Sequence, residues 1–321
     1  MENINDLKIG IFMGGNSLER EISLITGENV LKALKKRGLN VVGIDLRTES
    51  KHEIKNIITQ YKIDLVFIAM HGRFGEDGTL QSILEDLGVP YTGSDSRASK
   101  NAMDKTLTRK LQILHNIPHP KFKVVKKKDE IDLESLLKEF KNGKIVIKPA
   151  NQGSSIGLHI IKKEKSELNK ALKEAFKIDE TLLIEEFIEG AELTVGILEE
   201  RVLPPIRIIP KEVCFDFKCK YTQGFTFYEV PAKIPKELEE KVKDLALKTH
   251  RALGLRDFSR IDMRISLEGE PFVLEANSIP GLTPTSLLPK AAKLVGFDFE
   301  SLCIKMIELA LKRCTKKERS L

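Results

Sequence analysis

Asp262, Glu275 and Asn277 place two carboxylates and an amide on two short segments, Ser259 to Ile265 and Pro271 to Asn277. Alternate strand side chains share a face, so Arg260, Asp262 and Arg264 point one way, and Val273, Glu275 and Asn277 share a face of the second segment. If Leu267-Glu268-Gly269-Glu270 closes a hairpin around Glu268 and Gly269, Asp262 lies opposite Glu275 and Arg260 opposite Asn277. The other face then pairs Ile265 with Phe272, Met263 with Leu274 and Ile261 with Ala276, whereas a one-residue slip sets Asp262 against Leu274 and mixes the faces. Facing carboxylates repel unless something positive sits between them, and magnesium takes carboxylate and amide oxygens while keeping positions for phosphate. The competing reading is a solvated strand face on which Arg260 and Arg264 neutralise the acids. The hairpin alone leaves both open.

Three glycine-bearing loops add anion chemistry. Met13-Gly14-Gly15-Asn16-Ser17 joins a strand to a helix, where backbone N–H groups can meet an anion, although glycines there also simply relieve a tight turn. His71-Gly72-Arg73-Phe74-Gly75-Glu76-Asp77-Gly78 follows an apolar strand and has the make-up of an active-site loop at the carboxyl end of an open α/β sheet. Lys148 ends the strand Ile145-Val146-Ile147 and opens the small-residue loop Pro149 to Gly157, whose backbone and hydroxyls can approach a phosphate. Neither G-x-G-x-x-G nor G-x-x-x-x-G-K-[ST] occurs, so a nucleotide needs another architecture.

The elements behind these loops alternate. Lys8 to Met13, Val41 to Asp45 and Leu65 to Met70 read as strands, with helices from Glu19 to Lys36 and Thr79 to Leu87, which predicts a parallel sheet covered by helices. After the polar stretch Thr92 to Ser99, a helix around Lys100 to Leu114 leads into strands Phe122 to Val125, Lys144 to Lys148, Gly157 to Ile161 and Thr181 to Phe187, with a helix at Lys165 to Phe176. Strands Glu192 to Leu198 and Val202 to Ile209, the helix Lys236 to Leu253, the hairpin and a helix Asp298 to Lys312 make a third unit. The segment from Pro210 to Pro231 is longer than an ordinary connection and reads as a functional loop or lid.

Composition narrows the class. The 321 residues are 41% hydrophobic, enough for two or three domains, and no run reaches the roughly 18 apolar residues of a membrane span. The N-terminus lacks a signal-peptide pattern, which implies a cytoplasmic protein. Basic and acidic residues, 53 and 47, are interspersed, so the net charge of +6 reads as solvated surface rather than a nucleic-acid patch. Cys214, Cys219, Cys303 and Cys314 show no metal-ligand spacing and are expected as free thiols.

In this order the motifs GGNSLEREISL, HGRFGEDGTLQ, PYTGS, MDK, IKPANQGSSIG, LIEEFIEGAELTVGIL, CKY, RIDMRI, LEANSIPGLT and SLLP strongly resemble those of the D-alanine-D-alanine ligases of the ATP-grasp superfamily, across nearly the whole chain. The resemblance implies a three-domain α/β and α+β ATP-grasp fold. Residues 1–95 would form the N-terminal parallel-sheet substrate domain, 96–188 the central ATP-grasp domain, and 189–321 the C-terminal domain with metal site and lid. It implies ATP-dependent joining of two D-alanines through a D-alanyl phosphate for peptidoglycan precursor synthesis, by a homodimer that uses two Mg2+ ions, with Mn2+ as a substitute. Asp262, Glu275 and Asn277 correspond to the family's metal ligands, and Lys105, Lys148 and Ser155 to phosphate-binding groups. Glu185, Glu186, Phe187 and Ile188 match its adenine-binding connection, and Glu192 its ribose-binding acid. Glu19 and His71 match residues that orient the first D-alanine, Ser286 and Leu287 the second D-alanine's pocket, and Arg260 with the Gly281 backbone the oxyanion-stabilising groups. Glu19, Ser154 and Tyr221 resemble a triad that closes the lid, with Lys220 beside it binding substrate. D-alanine-D-lactate ligases replace the Lys-Tyr pair, so Lys220-Tyr221 argues for the dipeptide; a non-catalytic relative would be expected to lose metal or oxyanion groups that are all present here.

Overall fold

Ile9 to Phe12 and Leu65 to Ile68 are continuous apolar runs, as strands buried on both faces must be, and they pair in parallel at the centre of the first sheet. In this computed structural model, which describes residues 3–141, 143–210 and 226–318, the sheet has the order β2-β1-β3, with β1 Ile9–Gly14, β2 Val41–Leu46 and β3 Leu65–Ile68. Helices α1 (Arg20–Lys36) and α2 (Lys51–Tyr61) carry the crossovers, and α3 (Thr79–Leu87) follows the His71 loop. Helix α2 is not among the elements expected from the sequence. Its signal is a capping pattern, Ser50 with Glu53 three residues on, and the Ser50 hydroxyl does accept from the Glu53 N–H.

The expected single helix around Lys100 to Leu114 is two helices, α4 (Ser96–Met103) and α5 (Lys105–Leu114). Asp104 takes an extended conformation between them and its carboxylate caps the N–H groups of Thr106 and Leu107. That break puts Lys105 in the first turn of α5.

The middle sheet is antiparallel in the order β4-β7-β5-β6, with β4 Phe122–Lys126, β5 Lys144–Pro149, β6 His159–Lys162 and β7 Thr181–Glu186. Helices α6 (Leu133–Lys138) and α7 (Lys165–Ala175) close its core over Ile145, Ile147, Leu182 and Ile184. Lys148 and Glu185 emerge from neighbouring strands at the rim of this core.

The third sheet contains β8 (Gly190–Leu198), β9 (Arg201–Val202), β10 (Ile206–Pro210), β11 (Thr226–Glu229), β12 (Phe258–Ser266) and β13 (Pro271–Asn277), in the order β11-β10-β8-β12-β13 with β9 paired to β8. The strand expected over Val202 to Ile209 is split, because Pro204 and Pro205 have no N–H to continue a ladder. Helix α8 (Lys236–Ala252) seals the sheet through Val242, Leu245 and Ala246. Helices α9 (Leu287–Lys293) and α10 (Phe299–Glu318) turn back on the first unit, where Leu288, Leu302, Met306 and Ile307 share one core with Ile9, Ile11 and Leu34. Among the described residues no helix is long and apolar enough to cross a membrane.

The hairpin keeps the expected pairs Arg260 with Asn277, Ile261 with Ala276 and Asp262 with Glu275, but the pairs nearer the turn differ. Met263 faces Val273, Arg264 faces Phe272 and Ile265 faces Pro271. The turn holds three residues, Leu267 to Gly269, between Ser266 and Glu270, with Gly269 at φ +87°. Leu274 is the extra residue of a β-bulge that restores the acid pairing beyond it. Val273, expected on the polar face, is consequently in the core and fully buried.

Candidate active site

The two hairpin acids meet different cations. Asp262 is buried and accepts from Arg260 Nε at 2.9 Å and Nη2 at 2.8 Å, from Thr194 Oγ1 at 2.5 Å and from Asn277 Nδ2 at 3.2 Å. Arg260 therefore does neutralise Asp262, but Arg264 lies 3.5 Å from Glu192 instead of on the hairpin acids. Glu275 Oε2 is 4.0 Å from Lys105 Nζ. Two hard carboxylates and an amide on one strand-pair edge fit a divalent cation whose remaining ligands come from phosphate. Among the described residues there is no group of three or more His, Cys, Asp or Glu side chains gathered as a metal site.

A row of buried charges runs from the hairpin into the middle sheet. Lys105 Nζ donates to the carbonyl of Gln152 at 2.7 Å, and Lys148 Nζ lies 2.7 Å from Glu185 Oε2. Burial pulls the Lys148 pKa below its ordinary value, although the Glu185 carboxylate opposes the shift. Burial alone would raise Glu185, but Arg109 and Lys148 outweigh it and hold the carboxyl below the usual range. Ser154 and Ser155 sit at φ +51° and +57°, a left-handed backbone that serine adopts only under local constraint, in the loop anchored by Lys105.

The pocket at the carboxyl ends of β1 and β3 is built differently. Ser154 donates to Glu19 Oε1, while the buried Glu19 Oε2 accepts no hydrogen bond from any described residue. Burial, reinforced by the nearby Glu76 carboxylate, raises the Glu19 pKa. His71 Nε2 is 2.8 Å from Thr26 Oγ1, its backbone N–H donates to Ser23 Oγ at 2.9 Å, and its Nδ1 lies 4.0 Å from Glu76 Oε1. Burial disfavours the imidazolium, yet Glu76 and Glu19 together raise the His71 pKa. Two glycines leave room beside Glu19, since a Cβ on Gly72 or Gly153 would come within 2.5 Å or 3.0 Å of Oε2.

The remaining residues fall around these two centres. Glu186 Oε1 accepts from the Lys141 N–H at 3.1 Å, and Phe187 stacks 4.7 Å beneath the Arg264 guanidinium that pairs with Glu192. Phe187 and Ile188 are buried. Gly281 packs against Ser286, whose Oγ accepts from the Thr283 N–H at 3.1 Å, and Leu287 begins α9. Ile279 and Leu282 anchor that loop in the two cores of the first unit. Lys220 and Tyr221 lie outside the described residues, as do Cys214 and Cys219; Cys303 is a buried free thiol whose pKa burial drives upward.

Sequence reasoning missed Glu76, Thr194 and Arg109. Glu76 stands in the His71 motif, and Thr194 shares the period-2 face of Glu192 on β8, so both had a local signal. Arg109 had none, because its partner Glu185 is 76 residues away.

A middle sheet carrying Lys148 and Glu185, set against a third sheet carrying Asp262 and Glu275, is the arrangement of an ATP-utilising ligase of the ATP-grasp class. Residues 113–308 match the family profile described as D-ala D-ala ligase C-terminus, and residues 46–94 match D-ala D-ala ligase N-terminus. A D-alanine-D-alanine ligase of Pelotomaculum thermopropionicum is 42% identical over 322 residues, 98% of this chain and 99% of the relative. One from Aquifex aeolicus is 42% identical over 92% of this chain and 98% of its own. Among solved structures, D-alanine-D-alanine ligase from Bacillus anthracis complexed with ATP superposes with a TM-score of 0.83 at 32% identity, covering 97% and 99% of the chains. VanG D-Ala:D-Ser ligase from Enterococcus faecalis superposes with a TM-score of 0.81 at 31% identity, covering 95% and 99%. The chain belongs to the D-alanine-D-alanine ligase family. The family's reaction is ATP-dependent ligation of D-alanine to D-alanine.

Proposed function

We propose that the protein makes D-alanyl-D-alanine in the cytoplasm as a homodimer, for peptidoglycan precursor synthesis, with domains spanning 1–95, 96–188 and 189–321. The buried Glu19 carboxylate, one oxygen held by Ser154 and the other unpartnered among the described residues, carries this reading. An unsatisfied carboxylate oxygen in a buried pocket calls for a donor with positive charge, and an amino-acid ammonium supplies it. His71 closes the pocket beside that ammonium. Tyr221 and Lys220 take the lid-triad and substrate-binding roles that the family resemblance implies for them.

ATP lies along the charged row. Glu185, Glu186, Phe187 and Ile188 line the adenine, Glu192 holds the ribose, and Lys105, Lys148 and Ser155 face the phosphates. Asp262, Glu275 and Asn277 would hold two Mg2+ ions, which neutralise phosphate charge when bound; Mn2+ has the same preference for oxygen ligands. The first D-alanine carboxylate attacks the γ-phosphorus, ADP leaves, and the second D-alanine's amine attacks the resulting acyl phosphate. Arg260 and the Gly281 N–H stabilise the oxyanion of the tetrahedral intermediate, and phosphate departs. Ser286 and Leu287 hold the second D-alanine.

Purified protein supplied with ATP, Mg2+ and D-alanine releases ADP, phosphate and D-alanyl-D-alanine, read by coupled assay and mass spectrometry. D-serine and D-lactate are offered in parallel as acceptors. Turnover with either of these but not with D-alanine would overturn the acceptor assignment.

A further inference from the structure

Arg109 is fully buried on α5, at 1% exposure, and every one of its five N–H bonds is used. Nε and Nη2 donate to Glu185 Oε1 at 2.9 and 2.7 Å, and Nη1 donates to Gln112 Oε1. The remaining two bonds leave the central unit: Nη1 donates to the Val273 carbonyl at 3.2 Å and Nη2 to the Leu274 carbonyl at 3.0 Å. Those two carbonyls belong to the β13 bulge.

The bulge decides where Glu275 points. From the turn, Ile265 pairs with Pro271 and Met263 with Val273; without an extra residue Asp262 would face Leu274, and Glu275 would fall opposite the core residue Ile261. A bulge breaks the ladder and leaves backbone groups that must find other partners. Here Pro118 O accepts from the Val273 N–H at 2.9 Å, and Arg109 satisfies the two carbonyls that flank the bulged residue, those of Val273 and Leu274. The Leu274 carbonyl lies in the peptide plane that leads directly to Glu275.

We propose that Arg109 is a positioning residue for the nucleotide and metal centre: one guanidinium fixes the bulge that turns Glu275 onto the face of Asp262, and holds Glu185 against Lys148. The inference rests on the reading of Glu275 as a metal ligand. Lysine in its place keeps a positive charge for Glu185 but has a point-like ammonium that cannot span a carboxylate and two carbonyls in one plane.

The test measures two quantities in the wild type, Arg109→Lys, Arg109→Met and Glu275→Gln. The first is the Mg2+ activation constant for D-alanine ligation at saturating ATP. The second, free of turnover, is the tightening of a non-hydrolysable ATP analogue by Mg2+, read by titration calorimetry. Arg109→Lys is expected to raise the Mg2+ constant about tenfold, as loss of an outer-shell partner does, and to erase most of the Mg2+-dependent tightening while the D-alanine KM holds. Thermal melting separates this from unfolding, and Arg109→Lys carries the test if Arg109→Met does not fold. An unchanged Mg2+ constant in Arg109→Lys alongside a raised one in Glu275→Gln would overturn the role of Arg109. Unchanged constants in both would overturn it together with the assignment of Glu275.

Discussion

The pocket at the end of the first sheet and the hairpin of the third both bury carboxylates, but they treat them in opposite ways. On the hairpin, Asp262 already accepts from Arg260, Thr194 and Asn277, so its charge is compensated and its oxygens are fixed. In the pocket, Glu19 keeps one oxygen without a partner among the described residues, and burial with Glu76 raises its pKa. A prepaid set of oxygens suits an ion whose ligands must be rigid, whereas an unsatisfied carboxylate suits a substrate that brings its own charge and leaves again. On the proposed function, the contrast separates the two halves of the chemistry, phosphate handling in the third sheet and amino-acid capture in the first.

The largest expected effect is on the hairpin side. Asp262→Ala should lower kcat/KM at least about a thousandfold, since metal-assisted phosphoryl transfer loses several kcal/mol of transition-state stabilisation. Near-normal steady-state rates in this variant would dissolve the contrast. Next comes the pocket: Glu19→Gln removes the charge but keeps the shape, and should cost about a hundredfold in kcat/KM, mostly through the D-alanine KM. A loss confined to kcat would move Glu19 from capture to chemistry. Gly72→Ala is milder, about tenfold, because its φ of +74° disfavours a side chain and the Cβ would approach Glu19 Oε2 to 2.5 Å. Wild-type kinetics in Gly72→Ala would mean that the pocket yields at no cost.

The smallest effect contrasts two buried histidines and is read in stability. His71 faces Glu76 and Glu19 and its pKa is raised, so its contribution is present below its unfolded value and lost as pH rises through the folded one. His250 on α8 is within 2.7 Å of Ser259 Oγ, and burial lowers its pKa from 6.5 to about 4. Its contribution is present above 6.5 and is lost as pH falls towards about 4, because the unfolded chain takes the proton first. In urea titrations across that window, His250→Gln should lose less stability on acidification than the wild type does. An identical slope would show that His250 protonates as readily in the fold as out of it.

Much of this contrast was legible in the chain. Period-2 alternation fixed the pairs Asp262 with Glu275 and Arg260 with Asn277, and the His71 run announced a loop at a strand end. The bulge was not legible, since a two-residue turn, or a three-residue turn followed by a bulge, brings the acids together, and only burial of Val273 chooses between them. The break at Asp104 had a local signal that went unread, since aspartate is favoured at a helix N-cap and disfavoured in a helix interior. Arg109 lies beyond local reading altogether, since its partners come from β7 and β13.

The division of labour is tested most directly by measuring the Mg2+ activation constant and the D-alanine KM together in Glu275→Gln and Glu19→Gln. The predicted result is a crossover: Glu275→Gln raises the Mg2+ constant and spares the D-alanine KM, while Glu19→Gln does the reverse. Two variants that shift both constants alike would contradict it.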